Sequence, residues 1–349
     1  MAEGSFGGAY GVGNVSFRVV HDNGEDTQDI TPIVTGVTWA GDVKKPRRSL
    51  EVNLSNTRDM RTRTIFIRIG GEVRFYVGDE ERFRGVVFSD DIDVAGSHSF
   101  TAFDTNIYLT KNADSRKFKK RRASDIVKRL CDDFAIPYGV IEDTGYVIPK
   151  LYFTKETSLW DMIKTAITET EKEMGVRYSV RNVNGELVLR QRKSELTERV
   201  VEVEKNLTSA SNNRSIEEMR NQVKIINDEG FQLKVVKNDA LIDQYGLMQH
   251  VEKKSDNSTG NTQTADQLLA DLGTIEDEAD VTALGHPDMV AGTAVYVREP
   301  MTRITGGYFV TADKHSFDPN GKHTVDLTIA ATPELPTLEY EAPNEGGTA

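Results

Sequence analysis

The chain has 349 residues, enough for two or three domains each with its own core, and its 38% hydrophobic and 28% charged content is that of a soluble protein. A net charge of −12 argues against nucleic acid or an anionic membrane as the main partner. The single cysteine, Cys131, excludes an intrachain disulfide and a cysteine-rich metal site, and no apolar run approaches the ~20 residues that span a bilayer.

The opening MAEGSFGGAYGVG has neither a basic start nor an apolar stretch, so it is not read as a signal peptide. No Gly-Lys-Ser/Thr follows its glycines and no strand precedes them, so residues 1–13 are expected to be a flexible arm rather than a phosphate loop. From 14 to 104 the chain reads as strand after strand. Val15, Phe17 and Val19 alternate, as do Leu50, Val52 and Leu54 against Glu51, Asn53 and Ser55. Residues 65–69 and 73–77 read as a hairpin across Gly70-Gly71. Short strands with turn residues between them predict a first β-barrel or sandwich domain over 14–104.

Beyond Asp104 the periodicity changes to that of a small α/β module over 105–204. Ser124 is placed to cap a helix whose Ile126, Val127, Leu130, Cys131 and Phe134 share one face, with Pro137 stopping it. Ser158 opens a second helix with Asp161 as its capping partner, and Gly175 ends it. Asn184-Gly185 then turns a hairpin. Residues 204–220 read as a polar connector, 222–226 and 231–236 as paired strands, and 265–272 as a short helix. The last strands include Val325, Leu327 and Ile329 on one face, after the turn Asp318-Pro319-Asn320-Gly321. The expectation is a second β-barrel domain over 205–332 with a short helical insertion, and a flexible acidic tail over 333–349. The fold class is therefore α+β, mainly β: two small antiparallel β-barrels with an α/β module between them.

Five stretches in this order carry a family likeness: ITPIVTGVTWAGD, FTAFDTNIYLTKN, FAIPYGVIEDTGYVI, LYFTKETSLWDMIKTAITETEKEMGVRYSV, and the run from GHPDMVAGTAVYV to HTVDLTIA. Together, from Ile30 to Ala330, they resemble the XkdQ/YqbQ-type hub proteins of contractile phage tails and phage-tail-like bacteriocins. The resemblance implies a structural baseplate hub in which two tail-tube-like barrels per chain form, in a homotrimer, a pseudo-six-fold ring between the hexameric tail tube and the trimeric spike. It implies the tail tube protein, the spike protein, other baseplate proteins and the tape measure protein as partners. It also implies assembly in the bacterial cytoplasm into a virion or phage-tail-like particle, with no membrane or specific nucleic-acid partner. His286 stands where an acidic residue is expected in the Gly-x-Pro turn, which needs only the glycine and proline.

The sharpest local signal is the basic run Arg116, Lys117, Lys119, Lys120, Arg121 and Arg122, interrupted by Phe118. An aromatic among cations can mark a single-strand nucleic-acid contact, but on an acidic chain a protein-docking surface is the better reading. Lys44-Lys45-Pro46-Arg47-Arg48 reads as a strand-edge or loop segment, since lysine and proline commonly guard edges. His315 and His323 flank one hairpin near Asp313 and Asp326, yet a zinc site needs three or four convergent ligands, so they are expected to be a solvent-exposed pair and no metal is assigned. No Gly-x-Ser-x-Gly or His-Glu-x-x-His is present, and the runs Asp90-Asp91 and 276–280 read as solvated faces, so neither catalytic residues nor cofactor are assigned. Thr157 to Ile163 resembles the helix opening of LysM peptidoglycan-binding modules, without that module's second helix and closing strand. It motivates the alternatives of a cell-wall-binding module or a tail-associated cell-wall hydrolase; Trp160 is expected to pack on the module's own hairpin.

Overall fold

Alternating burial organises the first stretch of the chain into seven strands: β1 (Phe17–Asp22), β2 (Thr27–Asp29), β3 (Val34–Asp42), β4 (Ser49–Leu54), β5 (Glu72–Val77), β6 (Glu80–Ile92) and β7 (His98–Asp104). These belong to a computed structural model that describes residues 14–55, 65–94, 97–191, 196–227, 229–253 and 265–331. The glycine-rich arm, the acidic tail and most of the polar loop after Lys253 lie outside the described residues. In β4 the inward side chains are Leu50, Val52 and Leu54, as the alternation predicts. They join Val19, Trp39, Phe75 and Phe100 in one core, to which Phe317 comes from the far end of the chain. Each such side chain contributes roughly 1.5–3 kcal/mol by leaving water.

The hairpin across Gly70-Gly71 does not form. Residues 65–68 are not a strand, because both edges of β5 are taken, by β1 on one side and β6 on the other. Gly70 and Gly71 instead make a turn, the amide of Gly71 donating to the Arg68 carbonyl at 2.9 Å, and Ile67 is buried. His21 fixes this turn: the Arg68 amide donates to its Nε2 at 3.1 Å and its Nδ1 lies 3.1 Å from the Glu72 carbonyl.

The central unit begins with a short helix, α1 (Tyr108–Lys111), followed by β8 (Ala113–Arg121), α2 (Ala123–Asp133), β9 (Tyr138–Ile141), β10 (Ile148–Ser158), α3 (Leu159–Met174), β11 (Tyr178–Val183) and β12 (Glu186–Gln191). β8 and β10 pair as a two-stranded ribbon, and β11, β12 and β9 form a second sheet. α2 and α3 bury Ile126, Leu130, Leu159, Met162 and Ile163 against both. Ser158 caps α3 as expected, its Oγ accepting from the Asp161 amide at 3.0 Å, and Gly175 ends the helix at φ +65°. At α2 the cap differs. The N-cap position is Arg122, Ser124 is buried within the first turn, and its amide donates to Thr144 Oγ1 at 3.2 Å. The missing acceptor is thus supplied from twenty residues away, which local spacing could not disclose.

The remainder contributes β13 (Leu196–Glu202), β14 (Leu207–Ser215), β15 (Gln222–Ile226), β16 (Gln232–Lys237), α4 (Asp239–Tyr245), β17 (Gln249–Lys253), α5 (Ala265–Leu272), β18 (Glu276–Leu284), β19 (Ala294–Glu299), β20 (Ile304–Phe317) and β21 (His323–Ala330). β15 and β16 form the expected antiparallel pair, but in a separate three-stranded sheet with β17, covered by α5. The polar connector is in part a strand: β14 pairs with β18 along LTSASNNRS. It lies at the end of the sheet path, and an end strand needs no inward apolar row of the kind that sequence patterning detects.

β14, β18, β21, β20, β3, β4, β7, β6, β5, β1 and β2 follow one another, with β13 and β19 joining at β20, in a single 13-stranded sheet. The first and last parts of the chain are therefore halves of one sheet, fused where Trp39 of β3 faces His315 of β20. Among the described residues no pairing closes either half into a ring. The edge of β3 that could have met β2 is occupied by β20.

Candidate assembly surfaces and the junction between units

The basic run is a strand, not a lead-in to a helix. In β8, Phe118 faces inward opposite Leu151 and meets Phe153 edge-on at 6.4 Å between ring centres. It belongs to the core of the central unit, so it is not free to stack on a nucleobase. Its neighbours divide. Arg116 pairs with Asp114 at 2.7 Å and with Asp133, and Arg122 donates to Asp143 at 2.6 Å. Lys117, Lys119, Lys120 and Arg121 are exposed, and among the described residues no carboxylate lies within 4.0 Å of them. The Lys117 and Lys119 amines each sit 5.7 Å from the ring centre of Tyr152. Lys150 of β10 stands directly opposite Lys119 and is also exposed. The result is an uncompensated cationic ribbon, and the outer edge of β8 has no strand partner among the described residues.

A second concentration of charge lies where the three units meet. Arg48, just before β4 and after the Lys44-Lys45-Pro46 turn, donates Nη1 to Asp313 Oδ1 at 2.9 Å and Nη2 to Oδ2, while its guanidinium covers the Trp39 ring at 4.1 Å. Asp313 is fully buried and also accepts from the Ala291 amide at 2.6 Å. The bidentate pair thus bolts the first half of the sheet to the second. Asp288 takes Arg82 at 3.0 Å from one half and Arg199 at 2.9 Å from the other. The central unit is tied in by Asn182, which donates to Thr105 Oγ1 at 2.7 Å, and by Arg181, which donates to the Gly292 carbonyl at 2.6 Å. Between these ties is a cavity of about 680 Å³ with Trp39, Arg47, Trp160, Arg181 and Gly292 in its wall.

His315 and His323 are fully buried, contrary to the expected solvent-exposed pair. They lie on β20 and β21 two residues out of register, so their rings meet diagonally, His315 Nδ1 being 2.9 Å from His323 Nε2. His315 Nε2 is 3.0 Å from the Met289 carbonyl, which can only accept. That nitrogen therefore carries the proton, Nδ1 accepts, and His323 donates from Nε2. Burial pushes His315 down to about 3, helped by the Arg48 charge, and pushes His323 down to about 3, helped by His315. Asp104 moves the opposite way: burial raises its carboxyl to about 7 although the Arg48 amide donates to it at 2.9 Å. Trp160 packs on the core of the central unit and lines the cavity, with the Lys164 amine 5.8 Å from its ring centre.

Sequence reading missed Arg48, Asp313 and Asp104 as junction residues. One signal was present. Asp313, His315 and Phe317 share the inward phase of β20, and a carboxylate in an inward row demands a buried cation.

A family model described as YQBQ-like matches residues 37–330 of the chain. YqbQ of Bacillus subtilis is 32% identical over 273 residues, which is 76% of this chain and 83% of that protein. The phage-like element PBSX protein XkdQ of the same organism is 28% identical over 317 residues, 89% of this chain and 97% of that protein. Among solved structures, the 43 kDa tail protein of prophage MuSo2 from Shewanella oneidensis superposes with a TM-score of 0.69 at 14% identity, over 90% of this chain and 98% of that one.

Proposed function

The chain belongs to the YqbQ-like family and has the fold of a phage tail protein, and from that premise we propose that it is the structural hub of a contractile-tail baseplate, adapting a hexameric tail tube to a trimeric spike. The observation that carries the reading is the fusion of two β halves into one sheet through β3 and β20. A hexameric ring meeting a trimeric one needs six similar surfaces that also repeat three times. Three copies of a chain with two β halves side by side meet that need.

In this reading the β regions from 14 to 104 and from β13 to β21 act as the two tube-like modules, the central unit from α1 to β12 stands outside the ring, and the exposed cationic ribbon of Lys117, Lys119, Lys120 and Arg121 docks an acidic surface of a neighbouring baseplate protein. The protein works by assembly rather than catalysis, and its place is the baseplate of a particle built in the bacterial cytoplasm. The packing of Trp160 on its own unit's core weighs against a sugar-stacking role.

The test is the stoichiometry of the assembled particle by electron microscopy. Three copies per ring, with two β halves of each chain facing the tube, are expected. Six copies per ring, or a ring built by one half alone, would overturn the reading. Incubated with purified peptidoglycan, the isolated chain is expected to leave it intact; lysis abolished by a single carboxylate substitution would establish a hydrolase instead.

A further inference from the structure

The junction cavity runs against the charge of the chain that encloses it. Overall the protein carries −12, yet seven lysine and arginine side chains line the cavity against four carboxylates. Two of those cations are uncompensated. Arg181 is half-buried with the Gly292 carbonyl as its hydrogen-bond partner, and Arg47 lies 4.6 Å over the Phe103 ring; among the described residues no carboxylate comes within 4.0 Å of either. Burial, then the charges of Arg48 and Arg190, pull the pKa of Arg181 downward, with Asp313 opposing them. The wall is rich in donors as well. Buried nitrogens of Trp39, Arg48, Arg82 and Trp160 have no acceptor among the described residues. Both tryptophans of the chain stand in this wall, with Pro46 and Ile167 adding apolar surface. An extended segment bearing carboxylates beside aromatic or aliphatic residues matches this lining.

The chain carries such a segment. Residues 332–349 hold four glutamates (Glu334, Glu339, Glu341 and Glu345) and no lysine or arginine, with Leu335, Leu338 and Tyr340 between them. Pro333, Pro336 and Pro343 reduce the conformational entropy such a peptide loses on binding. The point of departure is close. Ala330 pairs with Phe309, which pairs with Ala294, and the next residue back, Thr293, lines the cavity. Two strand spacings are about 10 Å, whereas the fifteen residues from Ala331 to Glu345 can span roughly 50 Å. Reach is not limiting. We propose that residues 334–345 dock in the junction cavity of their own chain, with glutamates on Arg47 and Arg181 and Leu338 or Tyr340 beside Trp160.

Because Trp39 and Trp160 are the chain's two tryptophans, intrinsic fluorescence reports on the cavity. The experiment compares the full chain with a full-length variant carrying E334Q, E339Q, E341Q and E345Q, using acrylamide quenching at low salt. The variant is expected to quench at least about twofold more readily. A synthetic peptide of residues 333–345 should restore protection, and the same peptide with glutamine at all four positions should bind about tenfold more weakly or worse. R47Q in the full chain should reproduce the loss, and far-ultraviolet dichroism checks that each variant is folded. Equal quenching of wild type and variant, with no effect of the peptide, would overturn the proposal. Protection restored equally by inorganic phosphate would overturn it too, assigning the cavity to small anions, and protection that requires a second chain in mixing experiments would move the tail to a neighbouring copy. All readouts use the isolated chain, so they succeed or fail independently of the tube-to-spike reading.

Discussion

The β8 ribbon and the three-way junction both concentrate arginine and lysine, and they do opposite things with them. On the ribbon, four exposed cations have no carboxylate within 4.0 Å among the described residues, and the apolar work is left to Phe118 on the other face. At the junction Arg48, Arg82 and Arg199 converge from distant parts of the chain, and all three meet buried or half-buried carboxylates. Exposed charge costs the fold little and stays available to a partner, whereas buried charge is committed to its counter-ion. A charge in an apolar row, such as Asp313 in β20, therefore marks a joint, whereas a run of like charge alone does not mark a surface, since Arg48 closes the run 44–48 and turns inward.

The comparison breaks most sharply at Asp313. Asp313→Ala strands Arg48 over Trp39 without its carboxylate, and a loss of about 3–5 kcal/mol is expected in urea unfolding. The double variant R48M/D313L should recover most of that loss, because no charge is then left unpaired. If both forms unfold like wild type, the junction is not a bolt. Phe118→Ala, on the ribbon's inward face, is expected to cost about 3–5 kcal/mol by opening a hole against Phe153 and Leu151.

Acid sharpens the contrast without mutation. His315 and His323 are held near 3 in the fold and return toward 6.5 on unfolding, so the unfolded chain binds more protons across that window. Their contribution is complete above about pH 6.5 and is lost as pH falls toward 3. His21 and His286, both lowered chiefly by burial, act in the same direction. Asp104, raised to about 7, opposes them by releasing a proton on unfolding above about pH 4. The imidazoles outnumber it, so the urea midpoint should drop between pH 7 and pH 5. His315→Gln should flatten that slope; an unchanged slope would show that the pair does not control it. The smallest effect on stability belongs to the ribbon. K119E/K120E/R121E should shift the urea midpoint by no more than about 0.5 kcal/mol equivalent while impairing incorporation into particles.

The sequence disclosed what repeats and what is local. The alternation of Leu50, Val52 and Leu54, the cap at Ser158, the stop at Gly175 and the turn at 318–321 all read directly, since each depends on neighbours within a few residues. The failures share one cause. The absence of a hairpin at Gly70-Gly71 follows from β1 taking an edge of β5, and the cap of α2 comes from Thr144. The burial of His315 and His323 follows from β3 and Trp39 covering them. Each depends on which distant strand wins a place, and periodicity carries no such information. The cations of β8 were legible as a group but not as a division, because only the fold separates Arg116 and Arg122, which pair with carboxylates, from the cations between them, which have no carboxylate within 4.0 Å among the described residues.

The pairing of β3 with β20 also sets an order of events during synthesis. β3 emerges well before the strand that covers its edge and before Phe317, which completes its core. At ~5–20 residues per second the first half waits on the order of ten to sixty seconds with a bare strand edge and an unfinished core. An uncovered edge is a template for another chain. The Lys44-Lys45-Pro46 turn at the end of β3 stands beside that edge during the wait, where like charge and a missing amide donor discourage a second nascent chain from pairing first.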